Sequence, residues 1–243
     1  MPGDVAVIIP ARDESDRVGA TVAAALGLAG VDVVVVVDDG SRDATGALAA
    51  KAGAEVVRHP RGRGKAAALA TGARAVARIE AAEPERAPRL LLFLDADLGA
   101  SAAAAGPLTE PVRAGAADMT IAIFAERVRK GGFGIVTSTA GAGIERAVGW
   151  RPAQPLNGQR CLTRAAFAAS EPLARGWGAE TGMTIDVMRS GLRIAEVEVP
   201  LSHRATGTDW RAQLHRLAQL RDVTLALAVR LRPGAARSRT AVH

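Results

Sequence analysis

The chain has 243 residues, of which 49% are hydrophobic and 23% charged, enough for one well-filled domain and too few for two ample ones. Its one cysteine, Cys161, excludes an intramolecular disulfide and a cysteine-ligated zinc site, and apolar runs such as Val33–Val37 fall far short of a bilayer span. The net charge of +6 suits phosphorylated small molecules; with aromatics at 3% and the arginines spread along the whole chain, nucleic acid is not an expected partner.

Val5–Ile9 reads as a buried strand, followed by a helix to about Leu26 with Ser15 as its N-cap. Val33–Val37 is a second strand, and its unbroken β-branched run suits a parallel sheet covered on both faces. Asp43–Ala52 reads as a helix, Glu55–Val57 as a strand, Lys65–Glu80 as a helix and Leu90–Leu94 as a strand. This alternation predicts an α/β fold, a single Rossmann-like domain with a mostly parallel open sheet flanked by helices. Further on, Ala102–Ala114 reads as a helix, Met119–Ile123 as a strand, Arg129–Gly134 as a basic loop and Val136–Val148 as a helix. Leu156–Leu162 reads as a strand, with Cys161 as a buried filler, Glu180–Arg189 as a helix and Arg193–Val199 as a strand. Trp210–Leu231 carries leucines at helical spacing with arginines between them, an amphipathic helix. The domain is expected to span 1–232, in two halves over 1–100 and 101–232, with 233–243 as a disordered tail.

In such a sheet, ligands bind beyond the carboxyl ends of the strands. Pro10-Ala11-Arg12-Asp13-Glu14 follows the first strand, Asp38-Asp39-Gly40-Ser41 the second, His59–Lys65 the third and Asp95-Ala96-Asp97 the fourth, so polar groups converge on one edge. Two residues apart on an extended segment, Asp95 and Asp97 would point the same way. Their mutual repulsion calls for a hard divalent cation, Mg²⁺ or Mn²⁺, that also takes substrate phosphates. Asp38 or Asp39 could accept hydrogen bonds from a base or ribose, although Asp-Asp-Gly-Ser is also good turn chemistry. Arg61–Lys65 offers cations and glycines before a helix, where anions bind, but lacks the spacing of a P-loop. His203 follows a strand, and imidazole is an acceptable ligand for Mn²⁺.

Val7-Ile8-Ile9-Pro10-Ala11 with Glu14, Val37-Asp38-Asp39-Gly40-Ser41 with Asp43 and Thr45, Gly64-Lys65 and Leu94-Asp95-Ala96-Asp97 together resemble GT-A fold, family-2-type glycosyltransferases. A narrower likeness runs through Pro155-Leu156-Asn157-Gly158-Gln159-Arg160, Gly176-Trp177-Gly178-Ala179-Glu180-Thr181-Gly182, Ile185-Asp186 and His203, which are similar to glucosyl-3-phosphoglycerate synthases. The resemblance implies a hexosyltransferase that moves glucose from UDP-glucose or a related UDP-sugar to a small phosphorylated acceptor such as 3-phosphoglycerate, with retention. It implies that Pro10, Ala11, Arg12 and Glu14 hold the nucleoside with Asp38 or Asp39, and that Lys65, Asp95 and Ala96 adjoin the diphosphate. It implies Asp95, Asp97 and His203 as ligands of Mg²⁺ or Mn²⁺, and Glu180, Asp97 and Lys65 as the catalytic set. Gly134, Thr137, Asn157, Gly158, Gly178 and Glu180 would line the substrate side. Ile135 is a departure, standing where those synthases have an arginine; Arg129 or Lys130 could compensate.

Should the reaction invert, Glu180 or Asp186 is the natural base. The N-terminus Met1-Pro2-Gly3-Asp4 lacks a signal-peptide pattern, so the cytoplasm is the expected compartment, with no transmembrane segment. Peripheral membrane contact stays open, as does a homodimer. The nearest alternative is a polyprenyl-phosphate glycosyltransferase, with the basic helix Trp210–Leu231 lying on a membrane. A nucleotidyltransferase would show a glycine-rich signature after the first strand, which is absent. A nucleotide- or RNA-binding module would have no need of paired carboxylates.

Overall fold

The computed structural model describes residues 4–124, 134–201 and 210–232, with side chains in the last segment from 217 onward. His203, Arg129, Lys130 and the 233–243 tail lie outside the described residues. The first half follows the alternation read from the sequence: β1 (Val5–Ala11), α1 (Val18–Leu26), β2 (Val31–Asp38), α2 (Thr45–Lys51), β3 (Glu55–Arg58), α3 (Lys65–Ala81) and β4 (Leu90–Phe93). β1 pairs in parallel with both β2 and β4, and β2 with β3. Then come a 3₁₀ segment over Ala96–Leu108, α4 (Glu110–Arg113), β5 (Met119–Ile123), α5 (Ile135–Val148), β6 (Arg160–Leu162), α6 (Arg164–Ser170), a 3₁₀ turn over Gly176–Gly178, α7 (Ala179–Arg189), β7 (Ile194–Glu198) and α8 (Trp210–Arg230).

The sheet order is β3-β2-β1-β4-β6-β5-β7, with β6 antiparallel to both of its neighbours. The chain leaves β1 toward β2 and β3, then returns to lay β4 on the other side of β1, which puts a topological switch point between β1 and β4. Residue alternation splits the core across the sheet. Val5, Val7 and Ile9 face α1 and the 3₁₀ segment together with Val34, Val36 and Leu92, while Ala6 and Ile8 face α3, α6 and α7 together with Val35, Val37, Leu91 and Phe93.

Three local readings change. The helix expected over Ala102–Ala114 is instead a 3₁₀ segment that kinks at Gly99 (φ 57°), followed by the short α4. Six alanines within it satisfy any helical period, so hydrophobic pattern could not discriminate there. The strand expected over Leu156–Leu162 is only Arg160–Leu162, because Asn157 bends the chain: its Oδ1 accepts from the Gln159 N–H at 3.0 Å and its Nδ2 donates to the Ala122 carbonyl at 2.8 Å. Ser15 does not cap α1, which starts at Val18; the Ser15 N–H donates to Asp43 Oδ2 at 3.2 Å instead.

α8 packs on α5, α7 and the Gly176–Gly178 turn, and glycines permit its close approach. A Cβ on Gly178 would stand 2.7 Å from the Asp222 carbonyl oxygen and 2.8 Å from the Ala226 Cβ, and one on Gly143 would stand 2.3 Å from Leu227 Cδ1. Gly178, read from resemblance as substrate-binding, thus has a packing role. Because the obstruction at Gly178 includes backbone, Gly178→Ala should lower the unfolding free energy by about 1–3 kcal/mol, measured by denaturant titration; unchanged stability would contradict the packing role.

Candidate functional site

Two loops at the ends of β1 and β2 are stitched together by side-chain-to-backbone hydrogen bonds. Asp13 N–H donates to Ser41 Oγ at 3.0 Å, Arg42 N–H to Asp13 Oδ1 at 2.8 Å, and Glu14 N–H to Thr45 Oγ1 at 2.8 Å. Asp43 accepts from the Thr45 N–H at 3.0 Å as well as from Ser15. The spacing of Asp39-Gly40-Ser41, Asp43 and Thr45 therefore builds a clasp that shapes the rim. Gly40 (φ 76°) is required there, because a Cβ would lie 2.7 Å from the backbone of Arg61 and Gly62.

Asp38 and Asp39 are both buried, and both carboxylates are engaged within the chain. Asp38 Oδ1 accepts from the Ser41 N–H at 2.9 Å, while its Oδ2 has no hydrogen-bond donor among the described residues and lies 3.6 Å from Arg58 Nε. Asp39 accepts from His59 Nδ1 at 2.6 Å, from the Arg63 N–H at 2.8 Å and from the Gly64 N–H at 2.8 Å. Burial alone would raise the Asp39 pKa, but the donors from His59, Arg63 and Gly64 outweigh it and hold the carboxyl below its usual value. His59 is oriented from behind: Thr71 Oγ1 accepts from Arg74 at 2.9 Å and faces His59 Nε2 at 3.0 Å, which leaves the Nδ1 proton for Asp39. Asp39 is thus the anchor of the basic loop Arg61–Lys65, and the Arg12 side chain lies against Gly62 of that loop.

Lys65, the first residue of α3, reaches the end of β4 with its Nζ 2.7 Å from Asp95 Oδ1 and 3.1 Å from Glu180 Oε1. Burial would lower the Lys65 pKa, but the charges of Asp95 and Glu180 outweigh it and raise it. Gly158 makes room for this ammonium group, since a Cβ there would stand 2.3 Å from Lys65 Nζ and 3.4 Å from Asp95 Oδ1. Glu180 lies in the first turn of α7, 4% exposed, and among the described residues neither of its carboxylate oxygens receives a directed hydrogen bond; the Lys65 contact is an ion pair. Fully buried Arg160 binds the backbone around it, donating to the carbonyls of Glu180 at 3.1 Å, Asn157 at 2.9 Å and Pro155 at 3.1 Å, and to Thr184 Oγ1 at 3.0 Å. Burial pushes its pKa down to about 10 against the pull of Glu180.

Asp95 and Asp97 are not on one extended segment. Asp95 is extended (φ −75°, ψ 145°), but the 3₁₀ turn begins at Ala96, so Asp97 stands in its first turn. Arg17 donates to the Asp97 carbonyl at 3.0 Å and Thr21 Oγ1 to the Ala96 carbonyl at 2.7 Å, which fixes this turn against α1. The structure therefore brings Pro10, Ala11, Arg12 and Glu14 to the end of β1, and Lys65, Asp95, Gly158 and Glu180 together beside β4. His203 is outside the described residues, among which no cluster of three metal-binding side chains occurs. The carboxylates of Asp95 and Asp97 are hard oxygen donors, and that of Asp95 stays partly exposed at the end of β4, which suits a hard divalent cation in chemical type. Asp186, the other candidate base, is tied to Arg230, whose Nε donates to Asp186 Oδ2 at 3.0 Å. Gly134 and Thr137 lie at the start of α5, and Thr137 lines a cavity of about 290 Å³ with Gly141, Arg151, Pro152, Ala153 and Pro155. Ile135 is 78% exposed beside it in sequence. Sequence reasoning quotes Gln159 only within a motif and passes over Arg17 and Thr21, because their roles lie in tertiary contacts that no spacing along the chain announces.

The Asp43 carboxyl is held down at about 2, chiefly by the Thr45 hydroxyl and further by the Thr45 and Ser15 N–H groups. A depressed carboxyl contributes stability above its unfolded pKa, near 4, and loses it as pH falls through the folded value. The clasp should therefore weaken between about pH 4 and pH 2, and Asp43→Asn should remove that part of the acid dependence in pH-resolved thermal melts. An unchanged acid profile would contradict it.

Comparison with known proteins gives the same fold. Over 212 residues the chain is 28% identical to the glycosyltransferase AglJ of Haloferax volcanii, covering 86% of this chain and 66% of that protein, just under two thirds of its length. Glucosyl-3-phosphoglycerate synthase of Mycobacterium tuberculosis, in complex with Mn²⁺, UDP and glucosyl-3-phosphoglycerate, superposes with a TM-score of 0.72 at 26% identity, covering 94% of this chain and 80% of that one. The same synthase with Mn²⁺, UDP-glucose and phosphoglyceric acid gives a TM-score of 0.71 at 26% identity, covering 94% and 79%. The family model for glycosyl transferase family 2 matches residues 6–166, from β1 through the antiparallel β6 that carries Arg160, and the chain belongs to that family.

Proposed function

We propose that this chain transfers a hexose, glucose, from UDP-glucose to a small phosphorylated acceptor such as 3-phosphoglycerate. The observation that carries the reading is the convergence of Lys65, Asp95 and Glu180 at the β1/β4 switch point. In support, the mycobacterial synthase with the same fold was solved with Mn²⁺, UDP-glucose and phosphoglyceric acid. The uracil and ribose would lie along Pro10, Ala11, Arg12 and Glu14, with Asp39 acting by holding the Arg61–Lys65 loop in place. Asp95, Asp97 and His203 would hold Mg²⁺ or Mn²⁺, which when bound supplies Lewis-acid stabilisation of a departing diphosphate.

Lys65 adds a fixed positive charge where negative charge develops on the leaving group, and it needs no reorganisation to do so. Glu180 orients the sugar hydroxyls through its two carboxylate oxygens. The acceptor hydroxyl forms the new bond to the anomeric carbon as the bond to the diphosphate breaks, and its proton passes to the leaving phosphate oxygen. Asp186 is engaged by Arg230, which leaves Glu180 as the one of the two candidate bases that an inverting course would use. For the acceptor, the cavity at Thr137 is lined by Arg151, a cation that would have to exchange its 3.4 Å pairing with Glu145 for the acceptor phosphate; a donor-by-acceptor screen read by mass spectrometry would define both partners. Asp97→Ala should reduce turnover of UDP-glucose in the presence of Mn²⁺ by about 100-fold or more, and unchanged turnover would rule out the metal role.

One observation favours a second reading, transfer to a polyprenyl phosphate at a membrane surface. The outward side of α8 exposes Leu217 (65%), Leu225 (57%) and Val229 (58%) beside Arg221, although no described helix is long and apolar enough to cross a membrane. Flotation with anionic liposomes separates the two: the phosphoglycerate reading predicts that the protein stays in the soluble fraction, and recovery with the vesicles would favour the lipid acceptor.

A further inference from the structure

We propose that Gln159 is a positioning residue for the acidic pair after β4, holding Asp95 by its backbone and its carboxylate at once. The inference rests on Asp95 being a ligand of the divalent cation. Gln159 is fully buried, and its amide meets Asp95 at two points: Oε1 accepts the Asp95 N–H at 2.8 Å, and Nε2 donates to Asp95 Oδ2 at 2.7 Å. Only one orientation of the amide satisfies both contacts, because a backbone N–H requires the oxygen and a carboxylate requires the NH₂. Two-point contact fixes the direction of the Asp95 N–H, hence its backbone, together with the rotation of its side chain.

Gln159 is itself held. Its N–H donates to Asn157 Oδ1 at 3.0 Å and its carbonyl accepts from the Ala122 N–H at 3.0 Å. The last antiparallel pair between β4 and β6 is Phe93 with Arg160, so Gln159 stands just past the end of that ladder, where Asp95 leaves the sheet. On its other oxygen, Asp95 meets Lys65. The carboxylate is thereby aimed before any ligand arrives. Groups that orient a ligand in this way commonly govern metal affinity by about 10–100-fold.

The test is Mn²⁺ binding in the presence of UDP, followed by the paramagnetic resonance signal of free Mn²⁺, for wild type, Gln159→Met and Asp95→Ala. Gln159→Met should weaken Mn²⁺ binding by about 10-fold or more while retaining a cooperative melt. In turnover assays it should shift the Mn²⁺ activation midpoint by a similar factor, with the rate at saturating Mn²⁺ close to wild type. A folded variant with wild-type Mn²⁺ affinity overturns the proposal, as does a loss of rate with an unmoved midpoint. If Gln159→Met does not fold, Gln159→Asn, which keeps the amide but is one methylene too short to span the contact, is read by the same outcomes. Should Asp95→Ala also bind Mn²⁺ like wild type, the ligand role of Asp95 itself fails. If only Asp95→Ala weakens binding, the positioning inference alone falls.

Discussion

The site depends on bringing carboxylates out of water at the end of β4 without leaving them uncompensated. Asp95 and Glu180 come from distant parts of the chain, and each is drawn to the same ammonium group of Lys65. Unpaired charges at that depth would be costly, and the structure surrounds them with fixed positive charge and dipoles: Lys65 between them, buried Arg160 on the Glu180 backbone, and the first turn of α7 under Glu180. Among the described residues, neither oxygen of Glu180 receives a directed hydrogen bond, so Lys65 meets this carboxylate as an ion pair at 3.1 Å.

The fold supplies this convergence through the one antiparallel strand of the described sheet. Inserted between β4 and β5, β6 carries Asn157, Gly158, Gln159 and Arg160 on its entry, and each does a separate job. Asn157 bends the chain, Gly158 clears space for Lys65, Gln159 meets Asp95, and Arg160 ties the turn to α7. The first half of the chain supplies Lys65 and Asp95, and this tetrapeptide ties them to Glu180 in the second half.

Much of the first half was legible in the sequence because its strands are buried on both faces. Unbroken runs such as Val33–Val37 point to a parallel sheet, and the segments leaving the strand ends must then share one edge. Legibility failed where local pattern carried no information. Alanine fits any helix, so the Gly99 kink was invisible, and a three-residue strand is too short to announce itself against Asn157. Alternation would put Asp95 and Asp97 on one face only in an extended chain, whereas the 3₁₀ turn starts between them. Asp39 reads from the sequence as a ligand-binding carboxylate, and in the structure it also anchors the basic loop by accepting from His59, Arg63 and Gly64. The glycines around Trp177 looked like a substrate loop, and Gly178 proves to be where α8 passes close. In each case the deciding partner is far away in sequence.

The acidic groups at this rim are expected to engage a nucleoside diphosphate through a divalent cation. Calorimetric titration of the protein with UDP, once with Mn²⁺ and once with excess chelator, tests this most directly. Saturable UDP binding that requires Mn²⁺ and is lost on chelation is the expected result. Equal affinity under both conditions would contradict it, because the carboxylates of Asp95 and Asp97 would then have no cation through which to meet the phosphates.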